Sequence, residues 1–368
     1  MTKAENLSFL SIRIKNYRQF YDDSGKISLE PKNGKRINII QGENGWGKSN
    51  ILNAINYCLY LEEPHLKPES ETMTFLNTKA IGEAKEGEQI EMIIELELGN
   101  EQRKYRIDRK ITTTKGKLSE KIDPSSGDPV VDVQRVQKLN AMLPVGVEYD
   151  LMETSFKFAD KGRDWNVRNF TAGVESLLPD GLRPFFFLDG EFLESLGYDN
   201  RYQDRLKQFS NQSVEQRANL ADKMNEFKGR MRPNIRNSKF IFDETGNLHL
   251  VHTDGLDEIG TLAAAESFFV NLIWVLAVRH FVAPNSFLVL DGITGRLSSD
   301  KKGTLISLLF SLGDPSQIIW FVNDYEWSAS SETLPALREL VLKKQVLRKE
   351  YKISSNHEDW SSEVSENV

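Results

Sequence analysis

The sequence predicts an α/β fold in which a glycine-rich loop joins a buried strand to a helix. The first 60 residues follow the order strand, strand, strand, loop, helix. The loop is GENGWGKS at 42–49, and a second buried strand, SFLVL, ends on Asp291. Antiparallel strand patterns lie between these two features, so we expect a mixed sheet with an antiparallel insertion.

The strands that precede the loop differ in their patterns. LSFLSIRI (7–14) alternates apolar and polar residues, and GKISLE is a short second strand. KRINIIQ (35–41) has the apolar content of a buried strand. After the loop, SNILNAINYCLYLE places apolar residues at helical spacing, which predicts an amphipathic helix.

The rest of the chain alternates between strand and helix patterns. The predicted elements, in order, are a strand pair in QIEMIIELELGNEQRKYRIDRKI, a helix in VQRVQKLNAMLP, a strand in FFFLDGE, a polar helical segment at 200–233, a hairpin in KFIFDETGNLHLVHTD, a helix in ESFFVNLIWVLAVRHFV, and then strand, helix and strand up to QIIWFVND. The polar segment lacks sustained heptads, so it does not predict a long coiled coil. The acidic, serine-rich end predicts a flexible tail.

Composition limits the class of protein. The chain has 368 residues, a net charge of −7 and one cysteine, Cys58, which excludes an internal disulfide and a cysteine-built metal site. We find no apolar run near the roughly 20 residues of a membrane span and no signal-peptide pattern. We therefore expect a cytoplasmic protein that does not associate with a membrane. The acidic charge gives no support for DNA binding.

The loop at 42–49 matches the pattern G-x-x-x-x-G-K-[ST] in full. Glycine permits the backbone to turn with its N–H groups directed at phosphate oxygens. In such a loop, Lys48 supplies a positive charge for the β- and γ-phosphates, and Ser49 supplies a hydroxyl for Mg²⁺. The alternative is a chance glycine-rich turn, but the flanking strand and helix favour a phosphate-binding loop (P-loop).

A P-loop needs an acidic partner for the metal at the end of another buried strand. Asp291, after four apolar residues, is the best candidate. The alternative is an ordinary strand end with a terminal aspartate. A separation of roughly 240 residues from Lys48 favours a large insertion between the two halves of a nucleotide site.

Several segments resemble the SMC-like ATPases, especially the DndD branch linked to DNA sulfur modification and phage defence. IKNYRQF (14–20) resembles the opening strand and arginine loop of that family, and the strand pair after residue 89 resembles its β-lobe. RPFFFLDGEFLESL resembles the FFFDGE segment at the Q-loop position. LDGITGRLS resembles the Walker B and D-loop run, and IIWFVND resembles the switch strand.

The resemblance implies a P-loop NTPase of the ABC/SMC head type, with a mixed sheet, an antiparallel β-lobe and a helical lobe. Two heads would form a homodimer that sandwiches ATP and Mg²⁺, each site combining the P-loop of one copy with the signature motif of the other. DNA and partner proteins of a defence or repair complex would be further partners. The implied segments are an N-terminal half at 1–190, a short helical segment at 191–237 in place of a coiled-coil arm, a C-terminal half at 238–353 and the flexible tail at 354–368.

The chain departs from the family pattern at three motifs. The signature motif is replaced by Leu-Ala-Ala-Ala-Glu at 262–266, so its serine and glycine are missing. Gly292 stands where a catalytic glutamate follows the Walker B aspartate, and Asn323 stands at the switch histidine position. Loss of each charge-assisted contact costs about 1.5–3 kcal/mol. The 262–266 segment is otherwise only the beginning of a buried helix, and Asp189 and Glu191 are either substitutes for the glutamate or solvated acids of a turn.

The motifs and the family resemblance together predict one set of site residues. The residues expected to bind ATP are Arg18, Gly42, Asn44, Gly45, Gly47, Lys48, Ser49, Asn50, Ala263, Ala265 and Glu266. The expected catalytic residues are Lys48, Asp291, Asp189, Glu191 and Asn323, and the expected Mg²⁺ ligands are Ser49, Asp291 and Asp189.

Three functions remain open on these residues. The first is a DNA-associated ATPase driven by head dimerisation. The second is a hydrolysis-poor, nucleotide-gated scaffold that regulates an effector such as a nuclease. The third, the ATPase subunit of a transporter, is disfavoured by the arginine loop and the FFFLDGE segment.

Overall fold

The computed structural model describes residues 6–31, 36–60, 76–85, 87–100, 104–114, 118–122, 129–131, 152–158, 164–165, 174, 177–178, 180–190, 193, 213–231, 237–294, 297–312, 317–323, 348–356 and 361–367. The described parts form two compact units. The β-rich unit comprises Leu7–Asn33, Asn38–Asp180 and Arg348–Val368. The α/β unit comprises Met1–Asn6, Gly34–Ile37 and Gly181–Leu347.

The main sheet of the β-rich unit is antiparallel, with the strand order β2-β1-β4-β5-β8-β9. Its strands are β1 (Ser8–Tyr17), β2 (Phe20–Ser28), β4 (Gln89–Gly99), β5 (Lys104–Thr114), β8 (Met152–Phe158) and β9 (Asp164–Trp165). The unit also contains α1 (Lys48–Tyr60), α2 (Thr78–Glu83) and the hairpin of β6 (Leu118–Ile122) and β7 (Pro129–Val131). The predicted strand pair after residue 89 is therefore confirmed as β4 and β5.

Alternation decides which face of this sheet is buried. The apolar residues of β1 and β4, such as Ile12, Ile14, Ile94 and Leu96, are fully buried, and α1 packs against β4 and β5. The opposite face carries ion pairs such as Arg13–Asp23 and Lys110–Glu91. The sheet is thus a half-buried one, as its alternating sequence predicts.

The C-terminal end of the chain is also part of this unit. β15 (Arg348–Asn356) pairs with β3 (Ile37–Gly42), and β16 (Ser361–Asn367) pairs with β15 in antiparallel orientation. The prediction of a flexible tail at 354–368 is wrong for 354–356, which lie in β15, and for 361–367, which form β16. Main-chain hydrogen bonds to β15 hold this strand, and such bonds do not need the apolar side chains whose scarcity suggested disorder.

The α/β unit contains three parallel strands with the order β10-β13-β14. They are β10 (Phe187–Asp189), β13 (Phe287–Asp291) and β14 (Gln317–Asn323). The helices are α3 (Val214–Arg230), α4 (Ala264–Val282) and α5 (Ser299–Ser311), and α3 packs against both α4 and α5. A hairpin of β11 (Ser238–Phe242) and β12 (Leu248–His252) precedes α4.

Helix α4 confirms the helix predicted in ESFFVNLIWVLAVRHFV. It has 19 residues and a mean hydropathy of 1.4, so its length and composition would permit a membrane span. However, 67% of it is buried inside the protein, which is typical of a core helix. Near its end the buried Arg279 donates hydrogen bonds to the carbonyls of Ser286 and Phe287 and so fixes the helix to β13.

The two compact units do not coincide with the predicted segments 1–190, 191–237 and 238–353. These segments stay predictions about how the chain forms the nucleotide site. The helix predicted in VQRVQKLNAMLP lies outside the described residues, as does the whole of 200–212.

Candidate functional site

The predicted P-loop lies between the fully buried strand β3 and helix α1, which begins at Lys48. Gly45 and Gly47 have φ values of 82° and 104°, which side chains other than glycine rarely adopt. The Lys48 ammonium donates to the carbonyls of Gly42 and Glu43 at 2.7 and 2.8 Å. The lysine side chain therefore folds back over the loop, and its charge lies beside the loop backbone.

Most of the other loop residues are exposed to solvent. Glu43, Asn44, Gly45 and Ser49 are exposed, whereas Gly47 is buried. Because Ser49 lies in the first turn of α1, its hydroxyl lies near the positive end of the helix dipole. This arrangement offers an anion the helix N-terminus, backbone N–H groups and one ammonium.

Arg18 lies in the two-residue turn between β1 and β2, where Tyr17 pairs with Phe20. Its φ is 52°, an unusual value for a residue other than glycine. The Asn77 side chain donates to the Arg18 carbonyl at 2.6 Å, and the guanidinium lies 5.8 Å from the centre of the Tyr17 ring. The next residue, Gln19, bonds to the P-loop: its Nε2 donates to the Gly45 carbonyl at 2.9 Å.

Two aspartates meet at the ends of parallel strands in the α/β unit. Asp189 ends β10 and Asp291 ends β13, and the two are direct neighbours in the strand register. Asp291 is buried and Asp189 half-buried. The structure therefore brings together the two carboxylates that the sequence predicts as metal ligands.

The glycines after these aspartates explain how the strand ends approach so closely. A Cβ on Gly190 would lie 2.4 Å from the Gly292 carbonyl oxygen, a distance that no side chain tolerates. Gly292 has a φ of 62°. An Asp-Gly pair follows each of the two strand patterns, FFFL and SFLVL, and this repetition is the sequence signal for the arrangement.

Aromatic packing joins the same two strands at their opposite ends, where β10 and β13 begin. The rings of Phe186 and Phe187 lie 5.4 and 5.7 Å from that of Phe287, and the Phe185 ring lies 6.0 Å from that of Trp274. Trp274 is itself buried. Asn323 ends β14, the strand next to β13, and is half-buried. Glu191 lies outside the described residues.

The signature-like segment forms the exposed start of α4. Ala263 is the residue before the first helical turn, and its N–H donates to the Glu266 carboxylate at 2.9 Å. Ala263 has no side-chain acceptor, so only half of a capping box is present. The segment thus lies at the start of α4, with Ala265 and Glu266 in the first turn, a position that both interpretations of the segment share.

Sequence reasoning missed the groups that surround the P-loop from the same unit. Gln19, Ile353 and Ser362 all lie against it. Gln19 follows the expected site residue Arg18 directly, which was the only available signal. Ile353 and Ser362 lie in the predicted tail or beside it, where no pattern indicated contact with the loop.

A family model described as an AAA domain matches residues 11–239, which is more than half of the chain. The chain belongs to this AAA domain family. A comparison with curated proteins found no match.

Solved structures of SMC heads share the fold. The SMC head domain from Thermotoga maritima is 13% identical, with a TM-score of 0.52 over 98% of this chain and 99% of that chain. The Smc head domain with an extended coiled coil from Pyrococcus furiosus, bound to the C-terminal domain of ScpA, is 13% identical, with a TM-score of 0.56 over 98% and 96%. This AAA domain protein therefore has the P-loop NTPase fold of an SMC head.

Proposed function

We propose that this AAA domain protein binds ATP through its P-loop and hydrolyses it as an SMC-like head. The observation that carries the proposal is the loop itself: two glycines at positive φ, the start of α1 at Lys48, and the lysine ammonium against the loop carbonyls. These are the groups that a triphosphate needs. Arg18, Asn44 and Asn50 are further proposed contacts to the nucleotide.

The carboxylates fit a hard divalent cation. Asp189 and Asp291 lie side by side, and carboxylate oxygens are preferred ligands of Mg²⁺. We assign Asp291, Asp189 and the Ser49 hydroxyl to this cation and Asn323 to a hydrogen bond with phosphate or the attacking water. When bound, Mg²⁺ neutralises charge on the β- and γ-phosphate oxygens.

Self-association through nucleotide is the second part of the proposal. Ala263, Ala265 and Glu266 lie at an accessible helix N-terminus, which can accept a phosphate from a second copy. Two of the similar SMC heads are described as bound to ScpA domains, which supports partner proteins for this chain as well. Membership of the DndD branch, with a role in defence or repair, rests on the sequence resemblance.

DNA binding is part of this proposal but has little support from the described charges. Arg13 pairs with Asp23, Arg106 with Glu95, and Lys110 with Glu91 on the exposed face of the main sheet. Binding to DNA phosphates needs cations that are not already neutralised. A DNA contact is therefore expected elsewhere, and the cluster of Arg230, Arg232 and Arg236 is the candidate. Arg230 pairs with Glu226, so this candidate depends on Arg232 and Arg236, which lie outside the described residues.

A specific observation favours the alternative of a hydrolysis-poor scaffold. Gly292, in place of the usual glutamate, is exposed and has a φ of 62°. This position supplies no carboxylate to polarise water, and the conformation strains any substituted side chain. Asp189 is the described carboxylate nearest to this role, with one oxygen 4.0 Å from the position of a Cβ on Gly292.

Turnover separates the two functions. Phosphate release from Mg-ATP should be measured with the full chain, with and without duplex DNA. Under the ATPase proposal, turnover is measurable, rises with DNA and is lost in Asp291→Asn. Nucleotide binding without turnover in either condition would overturn the ATPase proposal and support the scaffold.

A further inference from the structure

One residue, Gln19, which directly precedes β2, connects the P-loop with the C-terminal strand β16. Gln19 Nε2 donates to the Gly45 carbonyl at 2.9 Å, and Gln19 Oε1 accepts from Asn50 Nδ2 at 3.1 Å. The Gln19 amide thus connects the tip of the loop with the first turn of α1. A single side chain therefore bonds both to the loop and to the helix that follows it.

The backbone of Gln19 is itself held by β16. The Ser362 N–H donates to the Gln19 carbonyl at 2.8 Å. Among the strands that the structure describes, β16 is the last of its sheet and pairs with β15. Since the N–H of Ser362 is bonded to Gln19, it points away from β15 and takes no part in the β15–β16 ladder.

Close packing joins the same groups to two P-loop glycines. A Cβ on Gly47 would lie 3.1 Å from Gln19 Oε1 and 3.4 Å from Ser362 Oγ. A Cβ on Gly42 would lie 3.2 Å from both Cβ and the carbonyl oxygen of Ile353 in β15. The hairpin β15–β16 therefore lies directly against the loop at both of its ends.

We infer that Gln19 is a positioning residue of the P-loop and that the C-terminal hairpin β15–β16 holds it in place. This inference rests on the proposed function, because it assigns the hairpin to the nucleotide site. Gln19 acts through Gly45 and Asn50. The C-terminal residues thereby set the affinity of the loop for a triphosphate.

Two variants of Ser362 isolate the backbone bond. Ser362→Pro removes the N–H that bonds Gln19, and an edge strand tolerates proline when that N–H faces away from its neighbour. Ser362→Ala keeps the N–H and removes a buried hydroxyl for which the described residues offer no hydrogen-bond partner. We expect Ser362→Ala to behave like the wild type and Ser362→Pro to loosen the loop.

Gln19 variants separate the two side-chain bonds. Gln19→Ala removes both, whereas Gln19→Glu keeps the acceptor for Asn50 and loses the donor to Gly45. Gln89→Ala is the matched control, because Gln89 is exposed at the start of β4. We expect the affinity for Mg-ATP to fall about three- to tenfold in Gln19→Ala, the effect of one or two net hydrogen bonds, and at least as much in Gln19→Glu, because its carboxylate repels both the Gly45 carbonyl and the triphosphate.

The experiment combines amide hydrogen exchange with titration of Mg-ATP into the full chain. The inference predicts faster exchange at 43–50 without nucleotide in Gln19→Ala and Ser362→Pro, but not in Gln89→Ala or Ser362→Ala. If Gln19 and the hairpin had a merely structural role, Gln19→Ala and Ser362→Pro would have a lower melting temperature but unchanged exchange at the loop and unchanged ATP affinity. That result would overturn the inference. If the wild type fails to bind ATP, the proposed function is overturned, while the exchange data still decide whether Gln19 positions the loop.

Discussion

Gly47 shows how strictly a single residue constrains the loop. Its φ of 104° is strained for any L side chain, and an added Cβ would lie 3.1 Å from Gln19 Oε1. We predict that Gly47→Ala lowers the free energy of unfolding by about 1–3 kcal/mol, the usual cost of such a backbone conformation. Urea denaturation followed by circular dichroism measures the change.

Gly303 is the matched control for this substitution. It lies inside α5, and an added Cβ would meet nothing within 4 Å. Because alanine favours helix more than glycine does, Gly303→Ala should raise the free energy of unfolding by about 0.5–1 kcal/mol. Equal effects of the two substitutions would refute the argument from backbone conformation.

At the scale of elements, the first turns of α3 and α4 differ by one hydroxyl. Ser213 precedes α3 and accepts from the Gln216 N–H at 3.2 Å, while Gln216 accepts from the Ser213 N–H at 3.1 Å. Ala263 precedes α4, where Glu266 supplies only the second of these bonds. The α4 cap is therefore incomplete.

We predict that Ala263→Ser completes this cap and raises the free energy of unfolding by about 1 kcal/mol. Ser213→Ala should lower it by about the same amount. Thermal and urea unfolding of both variants measure the two changes, and Ala264→Ser, one residue inside the helix, is the control. Stabilisation by Ala264→Ser but not by Ala263→Ser would show that α4 does not begin where the structure places it.

The hairpin of β11 and β12 carries a histidine, His249, that is hydrogen-bonded to two carboxylates. His249 Nδ1 lies 2.7 Å from an oxygen of Asp257, and its Nε2 lies 3.2 Å from an oxygen of Asp243. These hydrogen bonds to Asp257 and Asp243 raise the pKa of His249. The Thr245 hydroxyl and then Asn247 and His249 hold the pKa of Asp243 below its usual range.

The raised pKa of His249 makes hairpin stability depend on pH. Because the folded value exceeds the unfolded value of about 6.5, the extra stability is complete below that pH and is lost as pH rises through the folded pKa. We predict that His249→Gln destabilises the protein more at about pH 5.5 than at about pH 8.5. Urea unfolding at both values tests this, and an equal loss at both would contradict it.

At the scale of the whole molecule, local patterns predicted most of the fold. The alternation in β1 and β4 identified the half-buried sheet, and the loop at 42–49 identified the segment between β3 and α1. These signals are encoded within short stretches, so one sequence is enough to detect them. The pairing of β10 with β13 depends on residues about 100 positions apart and could be expected only from the resemblance.

The surroundings of the P-loop show where sequence reasoning stops. Among the side chains of β16 whose burial is described, Ser362 is buried and Val364 is half-buried. The strand is otherwise acidic and polar, a composition that in isolation predicts disorder. Its order comes from hydrogen bonds to β15 and from the Ser362–Gln19 contact. Both are long-range interactions, and neither leaves a periodic pattern in the sequence. The same holds for the contact of Gly190 with Gly292.

The central claim is that the P-loop binds ATP, and Lys48 is the residue on which that claim depends most. Its ammonium is the cation closest to the loop carbonyls, at 2.7 Å from the Gly42 oxygen. Lys85 is an exposed lysine of the same unit, and Lys85→Ala controls for the loss of one surface charge.

The most direct test is calorimetric titration of Mg-ATP into the wild type, Lys48→Ala and Lys85→Ala. We predict that the wild type and Lys85→Ala bind alike and that Lys48→Ala binds at least about tenfold more weakly, because it loses a charge-assisted contact. Equal affinity of Lys48→Ala and the wild type, or no binding by the wild type, would contradict the assignment of this loop as the nucleotide site.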